Sequence, residues 1–489
     1  MFHNIQLNDD QPIYIQIKNY FRTMIAKGML QKGEKLPSTR ELSSALNVSR
    51  NTVISAYESL VDDGFIRIIE GKGAFVADID VSSKPGWKTD WTGRINTYAM
   101  EARCFDIVKH EAVWEKDMIP MSSISPDPEL FPVEDFKRAF LNIISKESYK
   151  ILNYGYAQGY KPLIDFLMEY MESKGVNIKG KNIIITNGFT EAFEILISSL
   201  TEAGDSILCE NPTHNTALKI MRLKKLNICG ARMLNDGIDI EDVERIIENH
   251  KIKLAYITPS YHNPTGIIMP WDKRMKFFEI MASHDIPIIE NGFNEELRYF
   301  GSHIAPIAAI DGDGNGVIYI GSFSKVLFPG LRIGWILGDK SLIDYLESVK
   351  RSRNIHTSFL DQAVLYEFFR EGYFEKYIRR ARKLYKQKYE LAVDAVQKYI
   401  PEAQLHGDGG LHIFVRYNGI NVRDLLDECL KEKVIFTPGD IFYVNNEGKD
   451  TFRLGFSRVK LQDIESGIRI IGSKIKKIKN KEQRIKNKE

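Results

Sequence analysis

In Ser322-Phe323-Ser324-Lys325 a lysine sits among small hydroxyl residues, and Arg332 follows shortly downstream. This combination suits an aldehyde that carries a phosphate tail. A lysine amine acts as a Schiff-base nucleophile when its neighbours lower its pKa, and a phosphate is gripped by hydroxyls, backbone N–H groups and a guanidinium fork. On that reading Lys325 is the amine, and Ser322, Ser324 and Arg332 hold the phosphate. The plainer reading is a surface lysine between turns. A second segment, Thr186-Asn187-Gly188-Phe189-Thr190, reads as a glycine turn opening a helix, where unsatisfied N–H groups and the helix dipole make an anion site. Many strand-to-helix turns share that composition.

The elements that carry these residues follow from patterning. The chain has 489 residues, 43% hydrophobic and 27% charged, which exceeds one ordinary core and implies two or more domains. A net charge of +2 gives no global field for a polyanion, so any nucleic-acid site must be local. Cys104, Cys209, Cys229 and Cys429 lack metal-ligand spacing, which implies reduced thiols, no bound metal and a cytoplasmic protein. No apolar run approaches a membrane span.

Four zones are expected. Residues 11–78 read as three helices and a glycine-tipped hairpin, with an apolar stripe from Ile13 to Ile25, Ser38 or Thr39 as a helix cap, and a third helix from about Arg50. Two short helices joined by a tight turn and followed by a hairpin make a winged helix-turn-helix. Pattern alone also fits a helical hairpin with solvated charges. Residues 79–117 read as a partly packed linker, with Trp87, Trp91 and Trp114 suited to docking. Residues 118–475 alternate short apolar strands with helical stretches, which predicts an α/β domain around a mostly parallel sheet, with ligands at the loops after the strands. Ile183–Ile185, Ile207–Cys209, Leu254–Ile257, Ile286–Ile289 and Val317–Ile320 are the expected strands. Residues 476–489 read as a frayed, lysine-rich helix.

Leu36-Pro37-Ser38-Thr39-Arg40-Glu41-Leu42, Val48-Ser49-Arg50-Asn51-Thr52-Val53 and Gly71-Lys72-Gly73-Ala74-Phe75-Val76 resemble the successive motifs of the GntR family's DNA-binding domain. The resemblance implies contact with double-stranded operator DNA through Ser38, Arg40, Ser49, Arg50, Asn51, Thr52 and Lys72. The large zone resembles class I pyridoxal-phosphate aminotransferases, with a smaller C-terminal subdomain, and the whole chain resembles the MocR subgroup of GntR regulators. That likeness implies pyridoxal 5'-phosphate as a Schiff base on Lys325, with Phe189, Thr190, His214, Asn263, Asn291, Phe293, Ser322, Ser324 and Arg332 around it. The Asn263 amide, in Asn263-Pro264-Thr265-Gly266, would bond the cofactor's phenolic oxygen. Arg453 would grip a substrate carboxylate; its structural alternative is an ordinary ion pair.

Three departures from the aminotransferase pattern bear on mechanism. Where the family has Glu-Asp-Asp-Tyr, this chain has Glu290-Asn291-Gly292-Phe293, so the carboxylate facing the cofactor's ring nitrogen and one phenolic hydroxyl are both missing. His214 replaces a stacking tyrosine. Loss of the carboxylate weakens the electron sink that a proton shift needs, while cofactor capture requires far less of that nitrogen. The expectation is a homodimeric transcriptional regulator that senses an amino compound or pyridoxal phosphate itself. The alternatives are an active aminotransferase carrying a DNA-binding module, and a cofactor-free dimeric repressor.

Overall fold

The structure, a computed structural model, describes residues 5, 7–8, 10–78, 89–106, 118–445 and 447–486. The chain divides into a unit over Met1–Ile95 and a larger one over Asn96–Glu489.

In the first unit α1 (Ile13–Ala26), α2 (Thr39–Leu46) and α3 (Arg50–Asp62) precede the antiparallel hairpin β1 (Ile66–Ile69) and β2 (Gly73–Val76). The start of α2 is set by a capping box: Ser38 Oγ accepts from Glu41 N, and the Glu41 carboxylate accepts from Ser38 N. Asn47, left-handed at φ 52°, ends it. Ser49 Oγ then caps α3 by accepting from Thr52 N at 3.1 Å. Ile17, Phe21, Leu42, Val53, Leu60 and Val76 form the core. Lys35 makes a β-bridge to Phe75, which adds a third short segment beside the hairpin.

The larger unit contains an eight-stranded sheet. Its strands are β4 (Lys181–Thr186), β5 (Ser206–Asn211), β6 (Asn227–Leu234), β7 (Gly237–Ile238), β8 (Ile252–Ile257), β9 (Ile288–Gly292), β10 (Val317–Ser322) and β11 (Gly334–Asp339). Their order is β4, β11, β10, β9, β8, β5, β6, β7, parallel from β10 through β6, with β11 antiparallel to both neighbours. The central strands are apolar on both faces because helices cover both. Ile183 and Ile185 enter one core while Ile184 enters the other. Helices α7 (Phe189–Leu200) and α8 (Asn215–Leu223) leave the C-terminal ends of β4 and β5. A smaller sheet orders β12 (Gln404–His406), β13 (His412–Arg416), β15 (Thr451–Gly455), β14 (Val434–Pro438) and β3 (Ile119–Met121).

Two expectations change here. Trp91 is 70% exposed, in a short helical turn with no core residue of its own; Trp87 and Trp114 lie outside the described residues. Instead, the connector helix α4 (Thr97–Cys104) packs on α8. The final helix, Leu461–Lys486, runs unbroken through the boundary expected at residue 476. Within that segment Lys477 and Lys479 pair with Glu428 and Glu402. Among the described residues no helix is long and apolar enough to cross a membrane.

Candidate functional site

The C-terminal ends of β4, β5, β8, β9 and β10 deliver the predicted residues to one place. Beyond β10, Ser324 N donates to Ser322 Oγ at 3.3 Å, and Arg332 Nη1 donates to Ser324 Oγ at 3.2 Å. Arg332 Nη2 donates to the Asn187 carbonyl at 3.1 Å, which brings the lysine segment against the turn that opens α7. Gly188 caps that helix at φ +77°, a conformation that favours glycine, and a Cβ there would stand 2.8 Å from Arg332 Nη2 and push the guanidinium aside. The first N–H groups of α7, from Phe189 and Thr190, therefore share a corner with Ser322, Ser324 and Arg332. That corner can hold a phosphate.

His214 caps α8, its ring 4.9 Å from Phe189 and tilted by 56°. Burial, and then the positive charges of Lys325, Arg453 and His262, push its pKa down to about 3. The ring is therefore neutral at ordinary pH, and its Nδ1 is buried without a partner. Lys325, Arg453 and His262 are the cations whose charge acts on this imidazole. Lys325 is half-buried.

Arg453, on β15, donates Nη1 to Asn263 Oδ1 at 2.7 Å and lies over the Phe442 ring at 4.9 Å. It is no ordinary ion pair: burial alone lowers its pKa, to about 9, and its Nε is buried and unbonded. A guanidinium with an unused N–H in a buried site suits an incoming carboxylate. Phe293 is half-buried, 6.4 Å from His412.

Asn291 ends on a network that sequence reasoning did not find. Its Nδ2 donates to Tyr256 Oη at 3.1 Å and to Thr258 Oγ1 at 3.4 Å. Thr258 N donates to Glu210 Oε1 at 2.8 Å, and Glu210 Oε2 lies 3.5 Å from His262 Nε2. Tyr256 packs against the stacked rings of Phe189 and Phe193. The available signal was a tyrosine in the apolar run Leu254–Ile257 and a glutamate at the buried end of β5. His412, whose pKa burial and then Arg453 hold well below normal, was likewise missed.

In the first unit Arg40, Ser49, Arg50, Asn51 and Lys72 are exposed and Thr52 is half-buried. The structure gives Ser38 and Ser49 a second task, since both hydroxyls cap helices, and Arg50 Nε donates to Thr39 Oγ1 at 3.2 Å. Lys35, beside the Phe75 ring at 6.0 Å, is a further cation next to the hairpin.

Residues 116–471 match the aminotransferase class I and II family, and residues 13–76 match the bacterial regulatory proteins of the gntR family. The HTH-type transcriptional regulator YdeL of Bacillus subtilis is 30% identical over 94% of this chain and 96% of its own length. The probable rhizopine catabolism regulatory protein MocR of Rhizobium meliloti is 27% identical over 95% of this chain and 94% of its own. Among solved structures, the multiple substrate aminotransferase of Thermococcus profundus superposes with a TM-score of 0.76 at 27% identity, over 80% of this chain and all of that one. Aminotransferases of this fold are pyridoxal-phosphate-dependent, and the aminoadipate aminotransferase of Thermus thermophilus was solved with N-(5'-phosphopyridoxyl)-L-leucine. The chain thus belongs to the aminotransferase class I and II family through its larger unit and, over its whole length, to the MocR subgroup of GntR-type transcriptional regulators.

Proposed function

We propose that this regulator holds pyridoxal phosphate at Lys325 and changes its grip on operator DNA when an amino compound, or the cofactor itself, occupies that site. The observation that carries the reading is the convergence of a phosphate corner, a lysine and a carboxylate-seeking arginine around one neutral histidine. When bound, the cofactor supplies an aldehyde that condenses with a primary amine, and a ring able to withdraw electrons.

The chain's own residues divide the work. Ser322, Ser324, Arg332 and the α7 N–H groups take the phosphate. Lys325 offers the amine. His214 covers one ring face without adding charge. Asn263 orients both Arg453 and the phenolic oxygen, and Phe293 leaves that oxygen without a second hydroxyl. The unpartnered buried Nδ1 of His214 and Nε of Arg453, and the space that Gly188 keeps open at Arg332, support the fit. Asn291 provides only a neutral contact, already engaged by Tyr256 and Thr258. A site that binds but turns over slowly serves a sensor, because occupancy rather than product is read.

DNA recognition is assigned to the start of α3, with Ser49, Arg50, Asn51 and Thr52 in the major groove and Ser38, Arg40 and Lys72 at the backbone. The homodimer is supported by four large side chains, Tyr149, Leu152, Tyr154 and Tyr156, exposed along one segment of the larger unit. A cytoplasmic location suits a DNA-binding protein. The deciding experiment is an absorbance titration with pyridoxal phosphate and then amino acids, with operator-fragment binding measured on the same samples. A protein that takes up the cofactor but whose DNA affinity ignores both ligands refutes the proposal. Steady conversion of amino acid and keto acid would instead favour a working aminotransferase, for which the intact Arg453–Asn263 pair is the specific support.

A further inference from the structure

Helix α8 touches the ligand site at one end and the connector along its side. Its N-cap is His214. From its last turn Arg222 Nη2 donates to the carbonyls of Tyr443 and Val444, both at 3.1 Å. The same loop is tied twice more to the segment entering α8: Thr213 N donates to the Phe442 carbonyl at 2.8 Å, and Val444 N donates to Asn211 Oδ1 at 3.0 Å. Phe442 is the ring on which the Arg453 guanidinium rests. The backing of Arg453 is therefore set from α8. On the outer side Lys219 pairs with Asp106, and Lys225, just past the helix end, pairs with Glu101. Glu101 lies on α4 and Asp106 just beyond it. Those residues stand in the segment that joins the DNA-binding zone to the aminotransferase-like zone.

The grip on α4 is weak by construction. The helix has eight residues and none is buried. A helix that short does not sustain itself in water. Partly exposed ion pairs such as these shift an equilibrium by about fivefold at most.

We propose that α8 couples the ligand site to the connector, with Arg222 as a positioning residue that ties the loop behind Arg453 to α8, and Lys219 and Lys225 as its hold on α4. The inference rests on the reading that Arg453 takes the effector's carboxylate. That carboxylate gives the buried Nε of Arg453 the partner it lacks and steadies the guanidinium on Phe442. Through the Thr213, Asn211 and Arg222 bonds the same restraint reaches α8, and a steadier α8 holds α4 more firmly. Because α4 is near balance between docked and released, a severalfold bias suffices to change its population.

Cys104 is a built-in probe: it is exposed on α4, whereas Cys209 and Cys429 are buried. The test uses the full chain loaded with pyridoxal phosphate and a panel of common L-amino acids, with methylamine as a carboxylate-free control. Cofactor absorbance and the rate of iodoacetamide labelling at Cys104, read by peptide mass spectrometry, are followed together. An amino acid that changes the absorbance slows Cys104 labelling by about two- to fivefold, the range these weak ion pairs allow. Methylamine does not slow it. In Arg222→Ala the absorbance change persists and the slowing disappears; Asn211→Ala, which removes the acceptor for Val444 N, serves where Arg222→Ala does not fold. Lys219→Glu speeds labelling with and without amino acid, and adding Asp106→Lys restores the parental rate, which a generally loosened helix would not do. The proposal is overturned if labelling is unchanged or faster despite an absorbance change, or if the slowing survives Arg222→Ala. If no amino acid alters the absorbance, the carboxylate reading of Arg453 itself fails and takes this inference with it.

Discussion

Asn291→Asp tests whether one missing charge separates this site from a turnover catalyst. The change is nearly isosteric. Asn291 is 6% exposed, and its Nδ2 now donates to Tyr256 Oη and Thr258 Oγ1 at 3.1 and 3.4 Å. Both partners are hydroxyls that can rotate and donate to a carboxylate instead. In the cofactor-free protein the new charge is poorly placed, buried and near Glu210, which already accepts from Thr258 N. Burial and a like charge raise its pKa, and apparent stability falls by about 1–3 kcal/mol. With pyridoxal phosphate bound, the same carboxylate would face the ring nitrogen on the proposed assignment and would hold a proton on it. A charge-assisted bond exceeds a neutral one by about 1–2 kcal/mol, so affinity for the cofactor rises by about five- to thirtyfold. The decisive assay compares pyridoxal phosphate with its carbocyclic analogue, which has C–H in place of the ring nitrogen. The parent binds the two within about tenfold of each other, whereas Asn291→Asp favours the true cofactor by at least that additional factor. The rate at which an amino acid reduces the cofactor's absorbance rises by about a hundredfold. Equal discrimination by parent and variant, with unchanged rates, would refute the assignment of Asn291 to the ring nitrogen.

Lys325→Ala should abolish covalent cofactor attachment, seen as loss of the visible absorption band, and with it the effector response of operator binding, while circular dichroism and effector-free DNA binding stay intact. His214→Phe tests charge against shape. Because burial and then Lys325 and Arg453 depress the histidine's pKa to about 3, the imidazole carries no proton to lose between pH 5 and 8. Phenylalanine should therefore leave the pH profile of cofactor affinity unchanged in that range; a midpoint near 6–7 in the parent that vanishes in the variant would contradict this. Ser49→Ala removes the cap of α3 and should cost the DNA-binding unit about 1 kcal/mol in a thermal melt. Arg50→Ala should lower the slope of log affinity against log salt by about one if it meets a phosphate.

The first unit was legible in the sequence almost residue by residue, because its determinants are local. The Ser38–Glu41 capping box joins residues three positions apart, and glycines at a hairpin tip need no distant partner. The same holds for strands such as Ile183–Ile185, where continuous apolar runs demand burial on both faces. Misjudged segments were those whose fate depends on what they pack against. Trp91 promised docking by composition but meets no core, and the ion pairs of Lys477 and Lys479 depend on Glu428 and Glu402, which composition near the end does not show.

Residue types, read with the family resemblance, set the chemistry expected of this protein: a lysine amine, hydroxyls and a guanidinium for a phosphate, an arginine for a carboxylate and an amide where a carboxylate would drive turnover. Only the tertiary structure decided how those groups are tuned. Burial beside Lys325 and Arg453 makes His214 neutral, Tyr256 and Thr258 occupy the Asn291 amide, and α8 joins Arg453's backing to the connector. The physical reason is range. Covalent type and helix capping act over a few residues of chain, whereas desolvation, charge coupling and hydrogen-bond satisfaction depend on groups that folding brings together from more than two hundred positions apart, as Arg222 is from Tyr443.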